Sequence, residues 1–352
     1  MEDTQGRKLP FASDYMEGAH PALMQALVRT NMDSCAGYGL DEHSEAARTL
    51  IREACHAPAA DVFFLAGGTQ ANACVIDCVL RPWQGVMAAE SGHVSTHEAG
   101  AIEHGGHKVI VLSHHEGKVS ASSVEACVVS WESDENHDHM VQPGMLYVSQ
   151  PTEFGTLYSL SELEDLSRVC HAHDVALYVD GARLAYALAS DKNDVTLVDL
   201  ARLADAFYIG GTKCGCLLGE AVVFPRHNYV PHFFGMVKQH GALLAKGRLV
   251  GVQFRELFRD GLYERIGRGA VVAADQIRAA CRELGYGLAL DSPTNQVFVA
   301  LDTTQLAALS QLVDMSFWEK MPDGRTVVRL ATSWATREDD VDALIQALRS
   351  CR

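Results

Sequence analysis

The stretch from residue 61 to 225 restricts this chain most, because short apolar runs alternate there with helical patterns. The strand candidates cover 61–66, 85–89, 108–112, 145–149, 176–179, 206–209 and 221–224, with helix-like stretches such as 69–80, 161–173 and 198–204 between them. Apolar strands of this kind are buried on both faces, and helical connections make their sheet mainly parallel. The expected fold is therefore α/β, with a large domain built on a mainly parallel seven-stranded sheet. Ligands of such sheets bind at the carboxyl ends of the strands.

After Pro231 the pattern turns helical to about Leu284, and a smaller α+β unit follows. Its expected elements are strands over 296–301 and 326–331 and helices over 303–314 and 337–350. The organisation read from this is an N-terminal segment over 1–30, a large domain over 31–252 and a small C-terminal domain over 253–352. The polar stretch 131–139 is expected to be an exposed loop.

A net charge of -16 argues against a nucleic-acid partner, which requires clustered Lys and Arg. No apolar run is long enough to span a bilayer, and Met1 to Leu9 lacks the apolar stretch of a secretory leader. Ten cysteines without paired CxxC spacing read as reduced thiols of a cytoplasmic protein. Sixteen histidines without an HExxH motif give no reason to expect a metal site.

Three motifs carry chemistry. In Leu65-Ala-Gly-Gly-Thr-Gln-Ala-Asn72 a strand ends in a Gly-Gly-Thr turn and a helix begins, which aims backbone N–H groups at an anion. It is not a dinucleotide fingerprint, so a single phosphate fits better, and a nucleotide-dependent oxidoreductase is disfavoured. A plain turn with Thr69 as N-cap is the alternative. In Leu177-Tyr-Val-Asp-Gly-Ala-Arg183 the strand-end Asp180 needs a cationic partner, and a pyridinium nitrogen is one. A helix cap or an ion pair with Arg183 is the other reading. In Phe207-Tyr-Ile-Gly-Gly-Thr-Lys-Cys-Gly215 a lysine follows a buried strand, where burial would lower its pKa as a Schiff-base nucleophile requires. A solvated loop lysine is the alternative for Lys213. The order phosphate turn, Asp180, Lys213 favours pyridoxal phosphate. His93 follows another strand end, where it could stack on the cofactor ring, and His97 could face the same cavity.

These residues resemble the threonine aldolases of the β-eliminating lyase group, within the aspartate-aminotransferase-like (fold type I) enzymes that use pyridoxal phosphate. The resemblance is densest at Ser13-Asp14, Tyr38-Gly39, 67–72, His93, Val179-Asp-Gly-Ala-Arg183, Thr212-Lys213 and Val328-Arg-Leu330. It implies that Gly67, Gly68, Thr69 and Thr212 belong to the cofactor site and that His93 stacks on the ring. Asp180 would pair with the ring nitrogen, Arg183 would neighbour the ring hydroxyl, and Lys213 would form the Schiff base. Ser13 and Arg329 would bind the substrate carboxylate, which gives residues 1–30 a share in the site.

The implied activity is cleavage of L-threonine or L-allo-threonine to glycine and acetaldehyde, with His93 or His97 as base, in a homodimer or homotetramer with sites at subunit interfaces. The chain departs from the family pattern at Lys213-Cys-Gly, at Ser149-Gln-Pro-Thr-Glu-Phe-Gly155, and over 238–248, where Lys246 or Arg248 could supply a neighbouring subunit's phosphate contact. β-Elimination or transamination of a small amino acid on the same scaffold is the alternative.

Overall fold

The structure, a computed structural model, describes residues 7–352. The first six positions, on which the expectation of no leader and the start of the 1–30 segment partly rest, lie outside the described residues.

The large sheet contains β1 (Asp61–Leu65), β2 (Gln84–Ala89), β3 (Val109–Leu112), β4 (Gln142–Ser149), β5 (Ala176–Asp180), β6 (Ala206–Gly210) and β7 (Glu220–Phe224). Their order is β1-β7-β6-β5-β4-β2-β3. Strand β7 runs antiparallel to both neighbours, and the remaining pairs are parallel. Alternate residues of each strand feed two cores. Leu146, Val148, Leu177, Val179, Phe207 and Ile209 pack on one side, and Met145, Tyr147, Tyr178, Ala206 and Tyr208 on the other. That double burial is why the strands read as continuous apolar runs rather than alternating ones. Strand β4 starts earlier than the expected 145, because Gln142 and Pro143 pair with Gln84 and Gly85 although neither looks like a strand residue. Capping boxes at Ser159–Glu162 and Thr196–Asp199 start two of the crossover helices.

The C-terminal part carries a four-stranded antiparallel sheet, β8 (Gly287–Leu290), β9 (Gln296–Leu301), β10 (Ser316–Lys320) and β11 (Thr326–Ala331), ordered β10-β11-β9-β8. Strands β9 and β11 keep their expected bounds. The expectations contained neither β8 nor β10, which are edge strands with half-exposed residues and no continuous apolar run. The helix expected over 303–314 stops at Leu312, and Val313–Asp314 instead pairs in parallel with Leu9–Pro10. The stretch 131–139 is exposed but not wholly a loop: Trp131 and Glu132 end the helix Ala121–Glu132, and His137–His139 form a 3-10 turn. The expected division at 252–253 falls inside the helix Arg248–Phe258, which packs on the helix Glu42–Ala54.

The helix Leu262–Glu283 joins the two parts, packing on Leu184–Leu188 and on Glu338–Ser350. At Gly267 it lies so close to the backbone of Ala185 that a Cβ would collide with the carbonyl oxygen. None of the described helices is long and apolar enough to cross a membrane.

Candidate active site

The carboxyl ends of β1, β2, β4, β5 and β6 meet over an open cavity of about 800 Å³, which the small sheet closes from the other side. Gly68, Thr69, His93, His97, Asp180, Arg183, Thr212, Lys213 and Arg329 all line it. Of the residues expected in the site, Ser13 and Gly67 fall outside its wall. Tyr15, two residues beyond Ser13, lies in the wall.

Asp180 is the floor of the site. Its Oδ2 accepts from the Tyr147 hydroxyl at 2.6 Å and from Asn72 Nδ2 at 3.1 Å, while Oδ1 accepts from the Ala182 N–H at 2.9 Å. Burial works against this charge, but His93 and the hydrogen bonds outweigh it and lower the Asp180 pKa. Gly181 lets the turn cross β6, since a Cβ there would collide with the Tyr208 carbonyl oxygen. Arg183 does not pair with Asp180. It grips Asp14 with two bonds, Nε to Oδ2 at 2.6 Å and Nη2 to Oδ1 at 3.0 Å, and Asn295 adds a third donor at 3.0 Å. Burial opposes the Asp14 charge, yet Arg183 and Lys213 hold its carboxyl down to about 2.

His93 is fixed from two sides. Its backbone N–H donates to Glu153 Oε1 at 2.8 Å, and its Nδ1 lies 2.8 Å from Glu98 Oε1, which also accepts from Asn72 at 2.7 Å. A carboxylate there favours a proton on Nδ1, so that in the neutral tautomer the lone pair lies on Nε2. His97 packs beside it, with ring centroids 5.8 Å apart, and burial followed by the His93 charge lowers its pKa.

The helix Gly68–Val79 is capped by Gly67, with no side-chain hydrogen bond to its first turn. Thr69 is thus not the N-cap, and the first-turn amides have no side-chain cap to compete with an anion. Lys213 is half-buried at the cavity wall, and among the described residues its ammonium has no hydrogen-bond or ion-pair partner. Burial, and then the Arg183 charge, lower its pKa. Arg329, on β11, reaches Gln296 at 3.2 Å, the Ala12 carbonyl at 3.3 Å and Ser316 at 3.4 Å, while its buried Nε has no partner. It is not a solvated strand-edge arginine.

These residues fit pyridoxal phosphate. A buried carboxylate can hold a protonated ring nitrogen, an uncapped helix start can hold a phosphate, and an unpaired lysine is available for the carbonyl carbon. The unsatisfied Arg329 then remains for a carboxylate. Sequence reasoning gave no role to Asp14, Asn72, Glu98, Tyr147, Glu153 or Glu220. Asp14 and Asn72 fall in segments of the family resemblance, and Glu220 left a readable signal as a lone acid opening the apolar strand Glu220–Phe224.

A family model for the beta-eliminating lyases matches residues 10–304. A low specificity L-threonine aldolase of Pseudomonas sp. (strain NCIMB 10558) is 28% identical over 345 residues, covering 97% of each chain. The structure of Leishmania major threonine aldolase superposes with a TM-score of 0.94 at 42% identity, covering 97% of this chain and 98% of that one. An aspartate aminotransferase double mutant of Thermus thermophilus superposes with a TM-score of 0.70 at 16% identity, covering 98% and 92%, and shares the fold.

Proposed function

This chain belongs to the beta-eliminating lyase family, and on that premise we propose that it cleaves L-threonine or L-allo-threonine into glycine and acetaldehyde with pyridoxal phosphate as cofactor. The observation that carries the reading is one cavity holding a partnerless Lys213, a buried Asp180 and an incompletely satisfied Arg329. When bound, the cofactor supplies an electron-poor ring able to accept the electron pair of the breaking Cα–Cβ bond.

Asp180 keeps the proton on the ring nitrogen, and Tyr147 and Asn72 hold Asp180 in place for that task. The amides of Gly68 and Thr69, with Thr212, would hold the cofactor phosphate, and Arg183, neutralised by Asp14, would serve the ring hydroxyl. Arg329 binds the substrate carboxylate through its fork. His93 takes the β-hydroxyl proton on Nε2, directly or through a water, because Glu98 occupies Nδ1. His97, kept neutral by burial, is the second base candidate.

Exposed Met24, Val28, Met32 and Leu40 suit burial against a second copy, so the working form is a homo-oligomer, and ten free thiols fit the cytoplasm. Incubation with threonine, allo-threonine and serine tests the reaction. Glycine and acetaldehyde from threonine are expected. Pyruvate from serine without glycine from threonine would mean β-elimination instead.

A further inference from the structure

Glu220 opens β7, and its register against Gly210 of β6 and Leu65 of β1 puts it at the same sheet edge as the catalytic strand ends. It is buried, it lines the cavity, and no cation lies within ion-pair distance of its carboxyl among the described residues. A carboxyl in that position is costly unless it serves the site. What it touches is the turn that carries the lysine: Gly211 N–H donates to Glu220 Oε2 at 2.9 Å. The same turn is tied back to Gly219, with Gly211 and Thr212 N–H donating to its carbonyl at 3.1 Å and Gly219 N–H donating to Thr212 Oγ1 at 3.0 Å. Lys213 therefore stands on a loop closed at its base by Gly219 and Glu220.

We propose that Glu220 is a positioning residue for Lys213: it anchors the turn that presents the lysine, and its charge sets how tightly the lysine nitrogen holds a proton. The groups facing it are Lys213, Cys214 and Cys216 from the loop, Asp180 and Tyr178 from β5, Tyr208 from β6 and Tyr263 from the long helix. Only Lys213 is cationic. Burial pushes Glu220 up to about 7, against hydrogen bonds from Thr212 and Gly211, so it changes charge near neutral pH. Ionised Glu220 favours a positive charge on the lysine nitrogen; neutral Glu220 does not.

This rests on Lys213 carrying the cofactor, and the test separates the two ideas. The visible absorbance of the holoenzyme is titrated with pH in wild type and in Glu220→Gln, which keeps an oxygen for the Gly211 N–H. At an effective dielectric of about 20, a unit charge about 10 Å away is worth about 1.7 kcal/mol, which corresponds to a shift of about one pH unit. The wild-type band is expected to titrate in two coupled steps, and the variant in one step with its midpoint about one unit lower. Equal midpoints would overturn the proposal. Should Glu220→Gln fail to fold, the wild-type curve decides, because a single-proton titration also overturns it. A protein that gains no visible band with pyridoxal phosphate instead removes the cofactor reading itself.

Discussion

Replacing Arg329 by alanine should separate binding from stability. Its three contacts, at 3.2, 3.3 and 3.4 Å, are long for a cation, and Nε has no partner. A substrate carboxylate arriving there gains a charge-assisted fork that the protein alone does not supply. Truncating one member of such a buried pair costs about 2–5 kcal/mol. Taking about 3 kcal/mol, glycine and threonine should bind on the order of 100-fold more weakly. The effect belongs in KM and in the spectroscopic affinity for glycine, with a smaller fall in kcat. Arg329→Lys keeps the charge but not the fork and should lie between. Stability should behave differently. Burial, and then Arg183, lower the Arg329 pKa, so the folded state disfavours this cation, and its removal should cost only about 1–2 kcal/mol for its packing on Trp318 and its three long hydrogen bonds. Glycine affinity within threefold of wild type would refute the assignment, as would a fall in affinity matched by a collapse of the melting temperature.

Lys213→Ala should lose any chromophore that borohydride can fix to the chain, while retaining the fold by circular dichroism; a fixed chromophore in that variant would place the linkage elsewhere. The Asp14 carboxyl drops from 3.8 to about 2 on folding, which contributes about 2 kcal/mol. A depressed pKa stabilises above the unfolded value and is lost as pH falls, so the gap in urea midpoints between wild type and Asp14→Asn should be full at pH 7 and narrow between about pH 4 and 2. A gap independent of pH would contradict the ion-pair account. Gly267→Ala should destabilise by about 1–3 kcal/mol, because the collision is with the Ala185 backbone and not with a movable side chain; an unchanged denaturant midpoint would mean that the long helix docks less closely.

The sequence alone determined the large sheet. Its inner strands are buried on both faces, and a backbone that must bury two faces leaves an apolar run that can be read directly. It also singled out Lys213, Asp180 and His93, because a polar residue just past the end of such a run stands out against its neighbours, whereas Arg329, inside the strand Thr326–Ala331, came only from the family resemblance. The edge strands Gly287–Leu290 and Ser316–Lys320 were illegible, since a strand with one wet face and little burial carries no such run.

The partners of the site residues were decided by tertiary structure only. Asp14 meets Arg183 across 169 positions, Asn72 meets Asp180 across 108, and Glu98 meets Asn72 across 26. No local pattern encodes such distances; they arise when separate strand ends converge at one edge of the sheet. The same convergence decided between readings that the sequence left open: Thr69 lies in the cavity wall and is not a cap, and Arg183 pairs with Asp14, not with Asp180. Where a buried charge pairs, as Arg183 does with Asp14, the fold and not the neighbouring sequence decides with which counter-charge.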